Sequence, residues 1–471
     1  NSLLMAQTAI KNKGLDWLLL SLYVSLVLIG WLMLYSSTYD ETRPFAFLDF
    51  TTEIGKQSMW VLISLLVFVA TLTIEWNFWN TFSIPFFFFS LILLAGVPFL
   101  GVEIKGNKSW YDLGVGSFQP SEVAKFCTAL ALASYLSFNK NNLRDNKVLL
   151  TAISIFMVPI LLIMLQPDAG SALVFMSFFM LLYRKGLSGL VYILAFSLIG
   201  IFVFSLTFSP FFILVLSLFA AFLFLLFNFE FSPRTIGVGI ASIIASIVSF
   251  KYQYSSVVWM VPAAGTLIAT ILSVKERQFR VLTLILVSAF LTISLSYTTQ
   301  YVFDNVLKPH QQERINIWLR PEKCDPRGPL YNLIQSKLAI GSGGFAGKGF
   351  LNGEMTKLNY VPEQSTDFIF SIVGEEQGFI GTASVIVLFV LLIVRSVVVA
   401  ERAKLEFIRN YAYGIAGILF VHTFVNIGMT MGLMPIIGIP LPLVSRGGTS
   451  LLIFSIMISV LIRMDASRYR S

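Results

Sequence analysis

The chain has 471 residues, 56% of them hydrophobic and 12% charged, where a soluble domain carries roughly a quarter charged; its mean hydropathy is +0.80. That composition excludes a soluble globular enzyme and specifies a polytopic membrane protein. The formal net charge of +8 sits in short loops between apolar stretches, which fits membrane orientation and argues against a nucleic-acid partner. Cys127 lies in an apolar run and Cys324 in a polar one, so no disulfide framework is indicated. With His310 and His422 as the two histidines, neither a zinc nor a haem site is expected.

Apolar stretches able to cross a hydrocarbon core, about 20 residues each, fall near 16–36, 58–75, 81–100, 121–138, 148–165, 170–183 and 188–207. More follow near 210–228, 234–250, 254–273, 280–298, 378–396, 408–428 and 448–463. The expectation is an all-α polytopic membrane protein of about 14 transmembrane helices. No A-x-A-like cleavage site follows the first apolar run, so that helix is expected to stay. Neither heptads, nor strand alternation, nor a short repeat is visible. With the N-terminus inside, inner segments hold eighteen Lys and Arg residues, among them Lys11, Lys13, Arg184, Lys185, Arg402 and Lys404. Short outer loops hold six: Arg43, Lys56, Lys105, Lys108, Lys251 and Arg446. The bias places both termini in the cytoplasm and the segment 301–366 outside. The chain thus divides into N-terminal helices (1–187), a helical region with extra spans (188–300), a large extracytoplasmic loop (301–366) and C-terminal helices (367–471).

Several polar constellations interrupt the apolar pattern. Ser121 reads as an N-cap, with Glu122 in the first turn. Glu122 and Lys125 sit at i,i+3 on one helical face. They are either a structural ion pair or the lining of a polar cavity, because charge at membrane depth is costly and faces the interior. Trp110, in the loop before them, reads as an interfacial anchor. Asp168 in Gln-Pro-Asp is expected to cap the next helix, and Glu363 and Asp367 to cap a later one. Glu375 and Glu376 are harder to dismiss, since they enter an apolar run. Near the C-terminus, Pro435, Pro440, Pro442, Gly447 and Gly448 break the helical pattern. That stretch is either a compact outer turn or a re-entrant segment bordering a groove, which membrane depth tolerates only when protein or a cavity satisfies the backbone.

The polar segment 301–366 is too long for a connector, since structureless loops beyond roughly 12–15 residues are uncommon unless functional or disordered. Trp318, Leu319, Leu330, Ile334, Leu338, Phe345 and Phe350 argue against disorder. Its GSGGFAGKG stretch (341–349) fails the Walker A pattern because Gly349 stands where Ser or Thr is needed, so no nucleotide is expected. A glycine-rich backbone remains able to approach a lipid-borne pyrophosphate, aided by Lys337 or Lys348. Asp325, in Cys-Asp-Pro-Arg-Gly-Pro, reads as a turn former or as a lone base for a sugar hydroxyl. No second carboxylate at fixed spacing supports a two-carboxylate hydrolase.

The blocks WYDLGVGSFQPSEVAKF, LQPDAGSALVF, RINIWLRPEKCDPRGPLYNLIQSKLAIGSGGFAGKGF, YVPEQSTDFIFSIVGEEQGFIG and NIGMTMGLMPIIGIPLPLVSRGGTSLL together resemble the SEDS family (shape, elongation, division and sporulation) of membrane peptidoglycan glycosyltransferases. The GGFAGKGFLNGEMTKLNYVPEQSTDF stretch is similar to the RodA-type elongation branch more than to the FtsW-type division branch. The resemblance implies a ten-helix core with about four inserted helices, and polymerisation of lipid II, the undecaprenyl-pyrophosphate-linked disaccharide pentapeptide, into β-1,4 glycan strands. It implies Asp325 as the base that deprotonates the acceptor sugar, and Glu122 and Lys125 as a pair lining the central cavity. Lys337, Lys348, Trp110, Ser445 and Arg446 complete the residues expected to meet substrate. A divalent cation (Mg2+ or Mn2+) is implied as cofactor, with no residues legible for it. A class B penicillin-binding protein and the elongation machinery are implied as partners, and the bacterial cytoplasmic (inner) membrane as the location. Related sequences commonly place His and Tyr where this chain has Ser365 and Arg446. That excludes a histidine role at 365 and leaves Arg446, with Thr449 following, to face phosphate or a partner.

Three other readings stand beside this one: a division-type polymerase, a scaffold that activates a partner enzyme, and a lipid-precursor flippase. A scaffold has no use for Asp325. A flippase calls for charges spread across the bilayer midplane, whereas here Glu122, Lys125, Glu375 and Glu376 gather near the expected outer ends.

Overall fold

The computed structural model describes residues 14–39, 45–104, 107–112, 114, 117–139, 143–208, 213, 237 and 279–467. The expected spans 210–228, 234–250 and 254–273 lie outside the described residues. The chain forms two units, Asn1–Leu187 with Cys324–Ser471, and Ser188–Lys323.

The first unit begins with α1 (Trp17–Ser37), α2 (Glu53–Thr73), the short α3 (Trp76–Thr81) and α4 (Ser83–Leu100). A small antiparallel sheet follows, β1 (Val102–Ile104), β2 (Asn107–Asp112) and β3 (Ser117–Phe118), with Val102 opposite Trp110 and Tyr111 opposite Phe118. Next come α5 (Pro120–Phe138), α6 (Asn146–Met164), α7 (Ala169–Phe175) and α8 (Phe178–Arg184). The second unit holds α9 (Gly189–Thr207), α10 (Phe279–Asn305) and α11 (Pro309–Leu319). The first unit resumes with α12 (Pro329–Ser342), α13 (Glu354–Lys357), α14 (Ile369–Arg402), α15 (Glu406–Thr430) and α16 (Gly448–Ala466). Among the described residues, 8 helices are long and apolar enough to cross a membrane: α1, α2, α4, α6, α9, α14, α15 and α16.

Four expectations need correction. The expected outer loop at 105–122 contributes two strands, β2 and β3, of the three-stranded sheet, whose strands are too short to show a two-residue period. Tertiary bonds hold it: Tyr111 Oη donates to Leu93 O (2.8 Å), Lys108 Nζ to Pro98 O (2.8 Å) and Ser109 Oγ to Gln166 O (3.2 Å). The expected span 170–183 is broken at Met176–Ser177, where the amides bond three residues back, to Leu173 O and Val174 O. α5 starts at Pro120, so Gln119 is its N-cap and Ser121 is already helical; a ring without an N–H belongs at the first helical position. Ser121 Oγ instead donates to Ser171 Oγ at 3.2 Å, either oxygen being able to serve as donor. Glu363 and Asp367 do not cap α14, whose N-cap is Phe368. Asp168, by contrast, caps α7 by accepting the Ser171 amide at 2.9 Å.

The core of the first unit lies where α5, α15 and α16 meet. Leu130, Leu132, Ile418, Phe454 and Met457 are fully buried there. α5 and α15 approach through small side chains, as association without a hydrophobic driving force requires. A Cβ on Gly414 would stand 3.7 Å from Ala129 and 3.6 Å from Phe178. α14 packs on α1 and α15, and α16 on α2, so N- and C-terminal segments share one core.

At one end of this core Asp16 gathers three segments. Its Oδ1 accepts the Leu19 amide (3.1 Å), and its Oδ2 accepts Arg395 Nε (2.9 Å) and Arg402 Nη2 (2.5 Å). Arg402 also forks onto Asp465 through Nε (2.8 Å) and Nη2 (2.6 Å). Burial raises the Asp16 pKa, but the Leu19 amide, Arg402 and Arg395 outweigh it and hold the carboxyl below its ordinary value. A folded pKa below the unfolded one means that ionised Asp16 stabilises the fold above the ordinary carboxylate range. That contribution is lost as pH falls through the lowered value. Thermal unfolding in detergent should therefore show Asp16→Asn destabilised at pH 7, with the gap from wild type closing as pH falls below about 4. A pH-independent gap would dismiss the ion cluster as the cause.

Candidate functional site

Asp325 stands at the head of α12. Pro326 cannot donate to the turn, and the Arg327 amide donates to Asp325 Oδ1 at 2.9 Å, with Gly328 N–H reaching Asp325 O at 3.3 Å. Pro329 then takes the first helical position. The turn-forming geometry is therefore present, and the carboxylate is also exposed. Along α12, Leu330, Leu333, Ser336 and Ala339 recur at three-residue spacing and are buried. Ser336 Oγ donates to Thr430 O at 3.0 Å, seating α12 on the end of α15. Lys337 is exposed and lies over Gly432 (φ 78°): a Cβ there would sit 2.5 Å from Lys337 Nζ.

After α12 the glycine-rich run folds back on α14. Lys348 donates through Nζ to Glu375 Oε1 at 2.8 Å, and its amide donates to Glu375 O at 3.0 Å. The Gly349 amide donates to Glu376 O at 2.9 Å. These amides and the Lys348 ammonium, which the pattern had offered to a pyrophosphate, are engaged by protein. Glu375 also accepts from Met355 N, Thr356 N and Thr356 Oγ1, at 2.9, 2.9 and 2.7 Å. Glu376 accepts from Ser36 Oγ on α1.

The Pro/Gly-rich stretch between α15 and α16 is non-helical; Met431 and Leu433 at its start are exposed, while Ile439 and 441–445 are buried. Ser445 is buried; its Oγ accepts Leu441 N–H (2.9 Å) and donates to Thr366 O (2.5 Å). Arg446 donates its amide to Ser365 O (2.9 Å) and pairs through Nη1 with Glu53 Oε1 (2.6 Å). Gly447 N–H reaches Gln57 Oε1 (3.3 Å), and Thr449 Oγ1 donates to Ser117 O (3.2 Å). Asn426 on α15 donates to Ile439 O (2.7 Å) and Asp367 O (2.9 Å). Glu363 helps by turning the chain: in the left-handed region (φ 58°), its carbonyl accepts from Thr366, Asp367 and Phe368.

Glu122 and Lys125 form an ion pair of 2.7 Å with each residue only 1% exposed. Spacing did not reveal the third member. His422 on α15 places Nε2 2.9 Å from Lys125 Nζ and Nδ1 3.2 Å from Pro440 O. A carbonyl only accepts, so Nδ1 carries the proton and Nε2 accepts from the ammonium. The chain Glu122–Lys125–His422–Pro440 thus ties α5, α15 and the Pro/Gly stretch together. Phe454 covers it, with Lys125 Nζ 5.9 Å from the ring centroid. As a lone histidine in an apolar run His422 had no pattern to mark it; it becomes visible only when α5 and α15 are neighbours. Trp110 is half-buried in β2. Among the described residues no group of three or more His, Cys, Asp or Glu side chains is placed to hold a metal ion, and none is assigned to the expected cation.

The sequence profile of FtsW/RodA/SpoVE, described as cell cycle protein, matches residues 16–223 and 199–470. The chain belongs to this family of membrane-embedded glycosyltransferases. The peptidoglycan glycosyltransferase MrdB of Escherichia coli K12 is 32% identical over 376 residues, 79% of this chain and 75% of MrdB. The peptidoglycan glycosyltransferase RodA of Treponema pallidum is 30% identical over 452 residues, 96% of this chain and 97% of that protein. A chain from a peptidoglycan synthase complex, solved to show how polymerization and crosslinking are coordinated, superposes with a TM-score of 0.62 at 26% identity, covering 97% of this chain and 99% of that one.

Removing one partner of a buried ion pair leaves an uncompensated charge, at a cost of about 3–5 kcal/mol. Lys125→Met should lose that much stability in detergent-solubilised unfolding. Glu122→Gln in the same chain should recover most of it, because no buried charge then remains. A double variant as unstable as the single one would show that the ion pair is not the origin of the loss.

Proposed function

We propose that this chain polymerises lipid II into β-1,4 glycan strands during cell elongation, at the outer face of the bacterial cytoplasmic membrane, with both termini cytoplasmic and residues 301–366 outside. The exposed carboxylate of Asp325, at the head of a helix packed on the transmembrane core, carries this reading. In the reaction it takes the proton from the acceptor sugar's 4-hydroxyl. The freed oxygen pair attacks the anomeric carbon of the donor, and the bond to the pyrophosphate breaks with its electrons leaving on undecaprenyl pyrophosphate. An α-linked donor becomes a β-linked product in one inversion, which needs a single base and fits a lone carboxylate.

Accessibility sorts the cations assigned to the substrate. Lys125 is buried against Glu122 and His422, and Lys348 is held by Glu375. Lys337 is exposed, and the Arg446 side chain is 31% exposed in a surface pair that an anion can displace. Lys337 and Arg446 are therefore the contacts we assign to pyrophosphate. Ser445 holds the segment that presents Arg446. What supports elongation over division is a narrow margin: the RodA and MrdB relatives are 30% and 32% identical, and FtsW relatives of Idiomarina loihiensis and Haemophilus influenzae 27% and 29%. The likeness to a chain of a peptidoglycan synthase complex supports pairing with a transpeptidase, a class B penicillin-binding protein.

Asp325→Asn should lower glycan-ladder formation from labelled lipid II by at least about 100-fold, the lower end of what a positioned base contributes. The variant should still co-purify with the transpeptidase. Wild-type ladders from the variant would remove Asp325 from the chemistry; labelled lipid II crossing a proteoliposome bilayer without ladders would favour the flippase.

A further inference from the structure

Helix α14 is broken at Gly378 (φ 61°, ψ −154°). In an unbroken helix the Phe379 amide would bond to Glu375 O and the Ile380 amide to Glu376 O. Both bonds are open, and all four groups turn to the glycine-rich run. Phe379 N–H donates to Gly344 O (2.9 Å) and Ile380 N–H to Phe345 O (3.2 Å), while Lys348 and Gly349 donate to the two freed carbonyls (3.0 and 2.9 Å). Two helical bonds have been exchanged for four between segments.

The glycines follow from that exchange. A Cβ on Gly343 would lie 1.9 Å from Gly374 O, one on Gly347 2.1 Å from Glu376 O, and one on Gly378 2.3 Å from Gly347 N. The carboxylate of Glu375 completes the joint from within, fully buried and accepting from Lys348, Met355 and Thr356. The ring of Phe345 stacks on that of Phe379 at 5.8 Å.

We propose that Glu375 is a positioning residue for the glycosyl transfer, and that GSGGFAGKG is a docking joint that the broken helix was shaped to receive. The joint grips the C-terminal end of α12, whose other end presents Asp325. Over a rod of 14 residues, about 21 Å long, loosening one end displaces the carboxylate at the other. This inference rests on Asp325 acting as the base.

The test uses the full chain with its transpeptidase and labelled lipid II. Glu375→Gln should lower kcat by at least about 10-fold while KM moves less than about threefold, and Lys348→Met should do the same more mildly; in the double variant the two losses should overlap rather than multiply. Phe345→Cys with Phe379→Cys, oxidised and confirmed by peptide mapping, should restore most of the rate to Glu375→Gln, and reductant should remove the gain. Full activity of Glu375→Gln overturns the proposal, as does a cross-link that forms without rescue or one that never forms. An inactive Glu375→Gln that the cross-link rescues supports it even where the uncross-linked variant is unstable. If wild type itself makes no glycan, the lipid II reading fails and this inference with it; an active wild type equalled by Glu375→Gln sinks this inference alone.

Discussion

Every backbone amide and carbonyl in a water-poor interior needs a protein partner, and the departures of this fold from plain helix are organised by that requirement. α14 opens two rungs of its ladder, and the glycine-rich run fills them. The stretch between α15 and α16 abandons helix for a whole segment. Its groups are met by Asn426, Ser445, Gln57 and the backbone of 365–366. In both places the chain trades self-contained helix for bonds to distant segments. Those bonds seat the polar cap on the transmembrane core.

The buried charges follow the same logic. Glu122 meets Lys125, Glu375 meets Lys348, and Asp16 meets Arg395 and Arg402. An unpaired ion here would be severely penalised; Asp16 thereby ties the start of α1 to α14 and Glu375 ties α14 to the glycine-rich run, while Glu122 and Lys125 pair within α5. The Lys125–His422 contact carries this furthest, because it also fixes the imidazole tautomer through Pro440. The contacts that cross between helices, Asp16 with Arg395 and Arg402 and Lys125 with His422, specify which segments meet, in a setting where apolar faces discriminate poorly.

This division of labour accounts for the functional reading. Of the charged residues considered for the substrate, Glu122, Lys125 and Lys348 are consumed in holding the protein together. Asp325, just ahead of α12, and Lys337, within it, are exposed, and Arg446 stays partly exposed in an exchangeable pair. A transferase that joins lipid-borne sugars needs a base and anion contacts at the surface where the substrate arrives, and a rigid frame beneath them.

Membrane embedding, most of the spans and the family were legible in the residues, because hydropathy is a local property and the family blocks are contiguous. α1, α4, α6, α15 and α16 fall within a few residues of where hydropathy put them. The break in α14, the sheet at 102–118, the joint at 343–349 and the recruitment of His422 were not legible. Gly378 looks like any glycine in an apolar run until the groups it frees are seen bonded to residues some thirty positions earlier. Local pattern reports what each segment prefers to bury; which partner satisfies a freed carbonyl or a buried charge is a property of two segments at once, and only the tertiary structure decides it.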